Sequence, residues 1–166
     1  SEIREGEWRG GSEGRTRFPF FFPSVHRGAV WEFAGGAFTG LEAQHGAAEL
    51  GRAVVNSIGF GIRDLIETLE REGCLIETLR VSGGQGRNEV WNAMKADMTG
   101  KRVEVPRIID GELAGGAVAS FVALDGEPIA ETAERIVHIE KTFEPDPNRE
   151  EKYRIEYEEY ERLCAR

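Results

Sequence analysis

A series of apolar residues at helical spacing does most to constrain the fold of this 166-residue chain. Its members recur every three or four positions and therefore share one face of an α-helix: Leu50, Val54, Ile58, Ile62, Leu65 and Leu69. The pattern predicts a helix over residues 46–72, and Gly73 is a natural C-cap because glycine tolerates left-handed backbone angles. Gly59 and Gly61 weaken this helix by about 1 kcal/mol each, which indicates that another element packs closely against it.

Beyond Gly73 the chain alternates between short strands and helices. The predicted elements are a strand at 79–81, a turn at 82–87, a helix at 88–98, a strand at 103–105, a helix that begins at Asp110, a helix at 129–138 and a charged helix from residue 149. Upstream, the Phe-rich run at 18–22 is bracketed by prolines and predicts a buried strand. Such alternation is typical of an α/β domain in which helices pack on a sheet.

Composition and charge exclude several classes of protein. Hydrophobic residues make up 40% and charged residues 31% of the chain, as in a globular protein rather than a disordered one. The net charge of −9 disfavours nucleic acid and anionic membranes as partners, and no stretch has the ~20 apolar residues of a membrane span. The two cysteines and the histidines His26, His45 and His138 lack metal-ligand spacing, so we expect no metal site and a reduced, cytoplasmic protein.

The turn Ser82-Gly83-Gly84-Gln85-Gly86-Arg87-Asn88 carries the strongest chemical signal. Its glycines allow a ligand to approach the backbone closely, because no Cβ stands in the way. The helix that follows presents free N–H groups and a partial positive charge, which suit a phosphate or a ribose hydroxyl. Asn88 either caps this helix or binds a ligand edge. A Gly-Gly connection between a strand and a helix is more often only a tight turn, so the pattern by itself leaves both interpretations open.

The order of the motifs resembles the C-terminal part of the FGGY family of carbohydrate kinases. The segments that match the family, in chain order, are 51–60, 83–91, 96–100, 103–106, 110–117 and 143–147. Of these, 83–91 followed by 96–100 is similar to the family's adenosine-binding segment. Gln85 stands where a third Gly or an Ala is usual, Ala93 stands where many members have Gln, and residues 24–27 depart from a common Gly-Glu-Arg loop. These departures leave the preferred sugar open.

The resemblance implies a fold, a reaction and a set of ligand-binding residues. The implied fold is α/β, a partial ribonuclease H-like (actin-like ATPase) domain with a mixed sheet and packed helices. The implied reaction transfers the γ-phosphate of ATP, with Mg²⁺, to a hydroxyl of a sugar or polyol. The nucleotide contacts implied are Gly83, Gly84, Gln85, Arg87 and Asn88.

The resemblance also implies what the chain lacks. In the family the catalytic Asp lies in the N-terminal half, so we expect no catalytic residue among residues 1–166. We expect these residues to form a single nucleotide-binding domain, truncated on its N-terminal side and inactive without the missing half. Its partners would be ATP or ADP, a small sugar or polyol, and that missing half.

Other interpretations compete with the resemblance. A dinucleotide-binding or methyltransferase glycine loop needs an acidic residue at the end of the next strand, whereas Glu104 lies inside its strand and Pro106 ends it. A non-catalytic interaction or scaffold module with an actin-like half-fold is the alternative that stays open. Trp91 either packs in the core or forms a wall of an adenine pocket. Because an exposed sheet edge favours strand pairing between chains, we also expect self-association into a homo-oligomer.

Overall fold

The computed structural model describes residues 19–22 and 36–164. They form two compact units: one contains the described residues up to Leu65 and from Glu156 on, and the other runs from Ile66 to Ile155. That the chain acts as a single domain stays a prediction. His26 and the rest of the loop at 24–27 lie outside the described residues.

Five strands and five α-helices occur within the described ranges. The strands are β1 (Phe20–Phe22), β2 (Ala37–Thr39), β3 (Thr78–Arg80), β4 (Arg102–Pro106) and β5 (Ile139–Phe143). The α-helices are α1 (Ala47–Arg71), α2 (Glu89–Thr99), α3 (Gly111–Asp125), α4 (Ile129–Ile136) and α5 (Pro147–Cys164). A short 3-10 helix covers Gly84–Arg87. β5 was not predicted from the sequence, because its mostly exposed residues show no alternation of apolar and polar side chains.

An aromatic cluster forms the core of the first unit. Phe60 of α1 is fully buried and packs against Tyr157 of α5, with ring centroids 5.6 Å apart. Phe22 of β1 is also buried and stacks on Tyr160 at 4.9 Å. Such ring pairs contribute about 0.5–1.5 kcal/mol beyond the area that they bury. The predicted burial of the Phe-rich strand is confirmed at Phe22.

Helix α1 has nearly the predicted extent, but its aliphatic series is not its buried face. Phe60 and Ile66 are buried, whereas Ile58 and Leu65 of the series are each 48% exposed. Packing of the α5 tyrosine on Phe60 determines which side of the helix faces the core of the first unit. The C-cap prediction is confirmed, since Gly73 has the left-handed φ of 90°.

The second unit is built on a mixed three-stranded sheet in the order β3-β4-β5. β4 pairs in parallel with β3 and antiparallel with β5, so that Val103 is the register partner of both Leu79 and Phe143. Val103 and Val105 are buried, as is Met98 of α2. These apolar side chains form the core between the sheet and the helix.

The predicted ends of α2 and the predicted start of α3 are confirmed by their caps, whereas the helix predicted at 129–138 ends at Ile136 and the helix predicted from 149 begins at Pro147. Asn88 Oδ1 accepts a hydrogen bond of 3.0 Å from the N–H of Trp91 at the start of α2, and Gly100, with a φ of 65°, ends that helix. Asp110 Oδ1 accepts a 3.0 Å hydrogen bond from the N–H of Leu113 at the start of α3. Both acceptors satisfy N–H groups that a helix cannot pair internally.

Helix α5 is charged on the side that faces solvent, as predicted. Two local ion pairs, Arg154 with Glu151 and Arg162 with Glu159, have N–O distances of 2.7 Å. Neither α5 nor any other helix among the described residues is long and apolar enough to cross a membrane.

Candidate functional site

The predicted ligand turn connects β3 to α2 and is anchored on the neighbouring strand connection. The N–H of Val81 donates to the carbonyl of Glu104 at 2.9 Å, which extends the parallel pairing by one step. The N–H of Gly83 then donates to the carbonyl of Ile109 at 2.5 Å. Gly83 has a φ of 76°, a conformation that favours glycine. The sharp change of chain direction before the 3-10 helix therefore requires a glycine at position 83.

An open cavity of about 490 Å³ lies beside this turn. Its lining comes from the connections that follow β3 and β4: Ser82, Gly83, Gly84, Arg87, Ile109, Asp110, Gly111 and Glu112. Because β3 and β4 are parallel, the cavity lies at their carboxyl ends, where open α/β sheets bind ligands. Its volume falls within the usual range for small-molecule sites.

Two glycines of the turn leave the backbone accessible. A Cβ added to Gly83 or Gly84 would meet no other atom within 4 Å. Gly86 differs, because it is buried and a Cβ there would lie 3.4 Å from the side chains of Val105 and Ile109. Gly83 and Gly84 thus offer open backbone to a ligand, while Gly86 packs the turn against the sheet.

The five predicted nucleotide-binding residues fall into two groups. Three line the cavity: Gly83, Gly84 and Arg87. The other two contact Trp91 instead. Gln85 Oε1 accepts a hydrogen bond of 3.3 Å from the indole N–H of Trp91, and the Asn88 side chain caps α2. A nucleotide contact at each of the five stays a prediction.

Opposite charges occur on the lining of the same cavity. Arg87 and Glu112 both border it, and within the described part of the chain neither side chain forms an ion pair. The start of α3 at Gly111 adds the partial positive charge of a helix N-terminus. The arginine and the helix terminus favour an anionic group, whereas the carboxylate of Glu112 favours a hydrogen-bond donor such as a hydroxyl.

A buried polar pair behind the turn was missed by sequence reasoning. Asn92 is fully buried, and its Nδ2 donates to the carbonyl of Gly86 at 2.9 Å. Lys95 is 4% exposed, and its Nζ donates to Asn92 Oδ1 at 3.3 Å and lies 5.1 Å from the ring centroid of Trp91. Burial lowers the pKa of Lys95 to about 8. The only signal in the sequence was their three-residue spacing, which places two polar side chains on one side of α2.

A buried acid of α2, Asp97, is held by the start of α5. It is 1% exposed. Its Oδ1 accepts a hydrogen bond of 2.8 Å from the N–H of Asp146, and its Oδ2 lies 3.0 Å from Nε of Arg149. Burial raises the pKa of Asp97 above its ordinary value. Its contacts give Asp97 a structural role in joining two helices.

The described residues contain no group of three or more His, Cys, Asp or Glu side chains that could hold a metal ion. Mg²⁺ stays an expectation about the nucleotide in the parent enzyme. His45 has a local role, because its Nδ1 accepts a hydrogen bond of 3.0 Å from the N–H of Glu42.

Comparison with known proteins extends this description. The model of the FGGY family of carbohydrate kinases, C-terminal domain, matches residues 15–124. The L-xylulose/3-keto-L-gulonate kinase of Escherichia coli K12 is 30% identical over 148 residues, which are 88% of this chain and 30% of that protein. Glycerol kinase 2 of Thermotoga maritima is 30% identical over 151 residues, which are 89% of this chain and 30% of that protein.

The fold has relatives among solved structures. The crystal structure of xylulose kinase from Rhodospirillum rubrum superposes with a TM-score of 0.68 and 27% identity, over 80% of this chain and 27% of that one. This likeness confirms the predicted actin-like ATPase fold, with its mixed sheet and packed helices. The chain spans less than a third of the length of these relatives. By its family match and its relatives, the chain belongs to the FGGY family of carbohydrate kinases, in the part that corresponds to their C-terminal domain.

Proposed function

We propose that the chain forms the nucleotide side of an ATP-dependent sugar or polyol kinase. The parent enzyme would transfer the γ-phosphate of ATP to a carbohydrate hydroxyl. The names of the relatives, kinases of xylulose compounds and of glycerol, support this substrate class. The observation that carries the proposal is the cavity of about 490 Å³ at which Gly83, Gly84 and Arg87 meet the start of α3.

The chemistry of the cavity lining suits a nucleotide. The open backbone at Gly83 and Gly84 accommodates a ribose or an α-phosphate at close range. Arg87 supplies a positive charge with several donors for a phosphate. Glu112 accepts a hydrogen bond from a ribose hydroxyl. Gln85 and Asn88 belong to the same site and hold the turn in place from the side of Trp91.

The chain is not expected to catalyse the reaction by itself. Phosphoryl transfer depends on positioning and charge neutralisation at the transferred group. The family resemblance assigns the catalytic Asp to the N-terminal half, and the chain spans 30% of the length of its relatives. The pure polypeptide should therefore show no sugar-dependent release of ADP. Measurable turnover would contradict this division of roles.

Calorimetric titration of the full chain with ADP tests nucleotide binding. We expect a saturable response in wild type and none in Gly84→Val, because the valine side chain would occupy the ligand space. The fold should tolerate the substitution, since a Cβ at Gly84 meets nothing within 4 Å. Gly115→Val is the matched control, because Gly115 is an exposed glycine of α3 outside the cavity with equally open surroundings.

The outcomes of this titration separate the kinase proposal from its rival. Binding in wild type and in Gly115→Val, with loss in Gly84→Val, supports the nucleotide site. No response to millimolar ADP, or equal affinity in Gly84→Val, would overturn it and favour a non-catalytic scaffold module. Indole fluorescence of Trp91, which contacts Gln85 in the turn, provides an independent readout.

A further inference from the structure

We propose that Lys95 and Asn92 are positioning residues of the nucleotide turn. The Lys95 ammonium fixes the orientation of the Asn92 carboxamide, and that carboxamide holds the carbonyl of Gly86. The two hydrogen bonds measure 3.3 Å and 2.9 Å. The inference rests on the proposed function of the turn, and it adds residues that lie outside the cavity lining.

The donors and acceptors permit only one orientation of the carboxamide. A carboxamide has a donor end and an acceptor end, which exchange when the group flips. An ammonium only donates and a carbonyl only accepts. A flip of Asn92 would place its NH₂ group against Lys95 and its oxygen against the carbonyl of Gly86. Both neighbours therefore select the same rotamer, with Nδ2 toward the turn.

The buried ammonium is unfavourable for folding and is not offset by a carboxylate. Within the described residues Lys95 forms no ion pair, and its remaining contact is with the face of Trp91. An unpaired buried cation destabilises the folded state. A methionine would fill this position at lower cost to folding. We therefore expect Lys95 to fix the geometry of the turn rather than to increase the stability of the whole fold.

Gly86 links this pair to the cavity. Its N–H donates to the carbonyl of Gly83 at 3.0 Å, and a Cβ at this position would lie 3.4 Å from the side chains of Val105 and Ile109. Its carbonyl accepts from Asn92. Because Gly83 and Gly86 close the same turn, a displacement of the Gly86 carbonyl shifts the backbone that lines the cavity.

Residue-resolved hydrogen exchange of the full chain tests the inference without a ligand. Asn92→Asp keeps the shape of the side chain and an acceptor for Lys95, but it removes the donor to Gly86. We expect the amides of Gly86 and Asn88, which close the turn, to exchange about fivefold faster or more, as for loss of one ordinary hydrogen bond. The interior amides of α2 should be unaffected. Lys95→Met should change the same two amides in the same direction.

Thr99→Val is the matched control. Thr99 Oγ1 donates to the carbonyl of Lys95 at 2.7 Å, so this variant also loses a buried hydrogen bond of α2, but at the end remote from the turn. The inference is supported if amide exchange at Gly86 and Asn88 is faster in both Asn92→Asp and Lys95→Met but unchanged in the control. Unchanged exchange at the turn, or acceleration spread evenly along α2, overturns it.

Titration of the same variants with ADP distinguishes this inference from the proposed function. If wild type binds ADP, Asn92→Asp should bind it several-fold more weakly at a similar melting temperature, and unaltered affinity would overturn the positioning role. If wild type does not bind ADP, the proposed function fails, and the exchange rates at Gly86 and Asn88 still decide whether Asn92 and Lys95 hold the turn.

Discussion

Asp97 Oδ1 accepts a hydrogen bond from the backbone N–H of Asp146, with an O–N distance of 2.8 Å. Oδ2 of the same carboxylate lies 3.0 Å from Nε of Arg149. A carboxylate that is almost fully buried thus joins the end of α2 to the start of α5. Desolvation is the largest cause of its raised pKa, and the nearby charges of Asp146 and Glu150 add to it, whereas the hydrogen bond from Asp146 and the charge of Arg149 oppose it.

The first prediction concerns the stability of this junction. Asp97→Asn should lower the free energy of unfolding by about 1–3 kcal/mol at neutral pH, because the NH₂ end of the amide would face one of two donors, the N–H of Asp146 or the guanidinium of Arg149. The sign of the pH effect follows from the raised pKa of Asp97: the folded state binds more protons than the unfolded state above the ordinary pKa of 3.8. Wild type should therefore gain stability relative to Asp97→Asn on acidification toward that value.

Urea denaturation of both proteins across this pH range measures the difference. An advantage of wild type that shrinks on acidification would show that pairing with Arg149, rather than burial, dominates the ionisation of Asp97.

The second prediction uses the buried lysine. Burial lowers the pKa of Lys95 to about 8 from 10.5, so the unfolded chain binds more protons between these values and stability should rise with pH across them. Lys95→Met lacks this contribution. The free energy of unfolding of wild type minus that of the variant should thus increase between pH 8 and 10.5, by up to about 3 kcal/mol at ~1.4 kcal/mol per pKa unit.

Denaturation curves of both proteins at closely spaced pH values test this prediction, because the subtraction removes the other groups that titrate in the same range. A constant difference would mean that Lys95 keeps its ordinary pKa in the folded state and is accessible to water.

Local signals explain which parts of the fold could be predicted. The caps at Asn88, Gly100 and Asp110 depend on one residue and the adjacent turn of helix, so they could be predicted from the sequence. The turn at Gly83-Gly84 could be predicted for the same reason. By contrast, β5 pairs with a strand more than thirty residues away. Its mostly exposed residues lack the alternation of apolar and polar side chains that predicts a strand.

Tertiary contacts decided the features that sequence reasoning missed. Polar residues within a helix usually face solvent, so Asn92 and Lys95 were not expected inside. Their burial depends on two contacts: Asn92 binds the carbonyl of Gly86, and Lys95 lies over the ring of Trp91. The contact with Gly86 exists only in the folded turn, so the sequence pattern of α2 does not predict it. Similarly, the buried face of α1 depends on Tyr157, which is remote in sequence from Phe60.

The third prediction compares two helix-ending glycines in the left-handed conformation. Gly100 and Gly126 have φ values of 65° and 68°, so alanine should cost about 1 kcal/mol at either site. At Gly100 the new Cβ would also lie 2.8 Å from Oε1 of Glu150, whereas nothing lies within 4 Å at Gly126. Gly100→Ala should therefore cost more, and Glu150→Ala should remove the excess in a double-mutant cycle. Equal costs without Glu150→Ala would mean that the Glu150 side chain swings aside freely.

The fourth prediction is self-association through the sheet of the second unit. Within the described residues β3 and β5 pair only with β4, and β5 is mostly exposed. Unpaired edges of this kind template pairing between chains. Light scattering at high protein concentration should detect oligomers of wild type. Thr142→Lys adds a charge to β5 and should dissociate these oligomers. Leu124→Lys on α3, where Leu124 is 82% exposed, serves as the comparison: a monomeric wild type, or dispersal by Leu124→Lys alone, would count against edge pairing.

The fifth prediction assigns the phosphate end of the nucleotide to Arg87. Arg87 lines the cavity, and its guanidinium has no ion-pair partner within the described ranges, so we expect the guanidinium to be available to a ligand. Arg87→Gln should weaken ADP binding about tenfold, the effect of one charge-assisted hydrogen bond, and should leave adenosine binding unchanged, because adenosine has no phosphate. Lys152→Gln removes the same charge from an exposed position of α5 and controls for long-range electrostatics. An equal loss for ADP and adenosine would assign Arg87 to the base or ribose instead, and no loss for either would exclude it from the site.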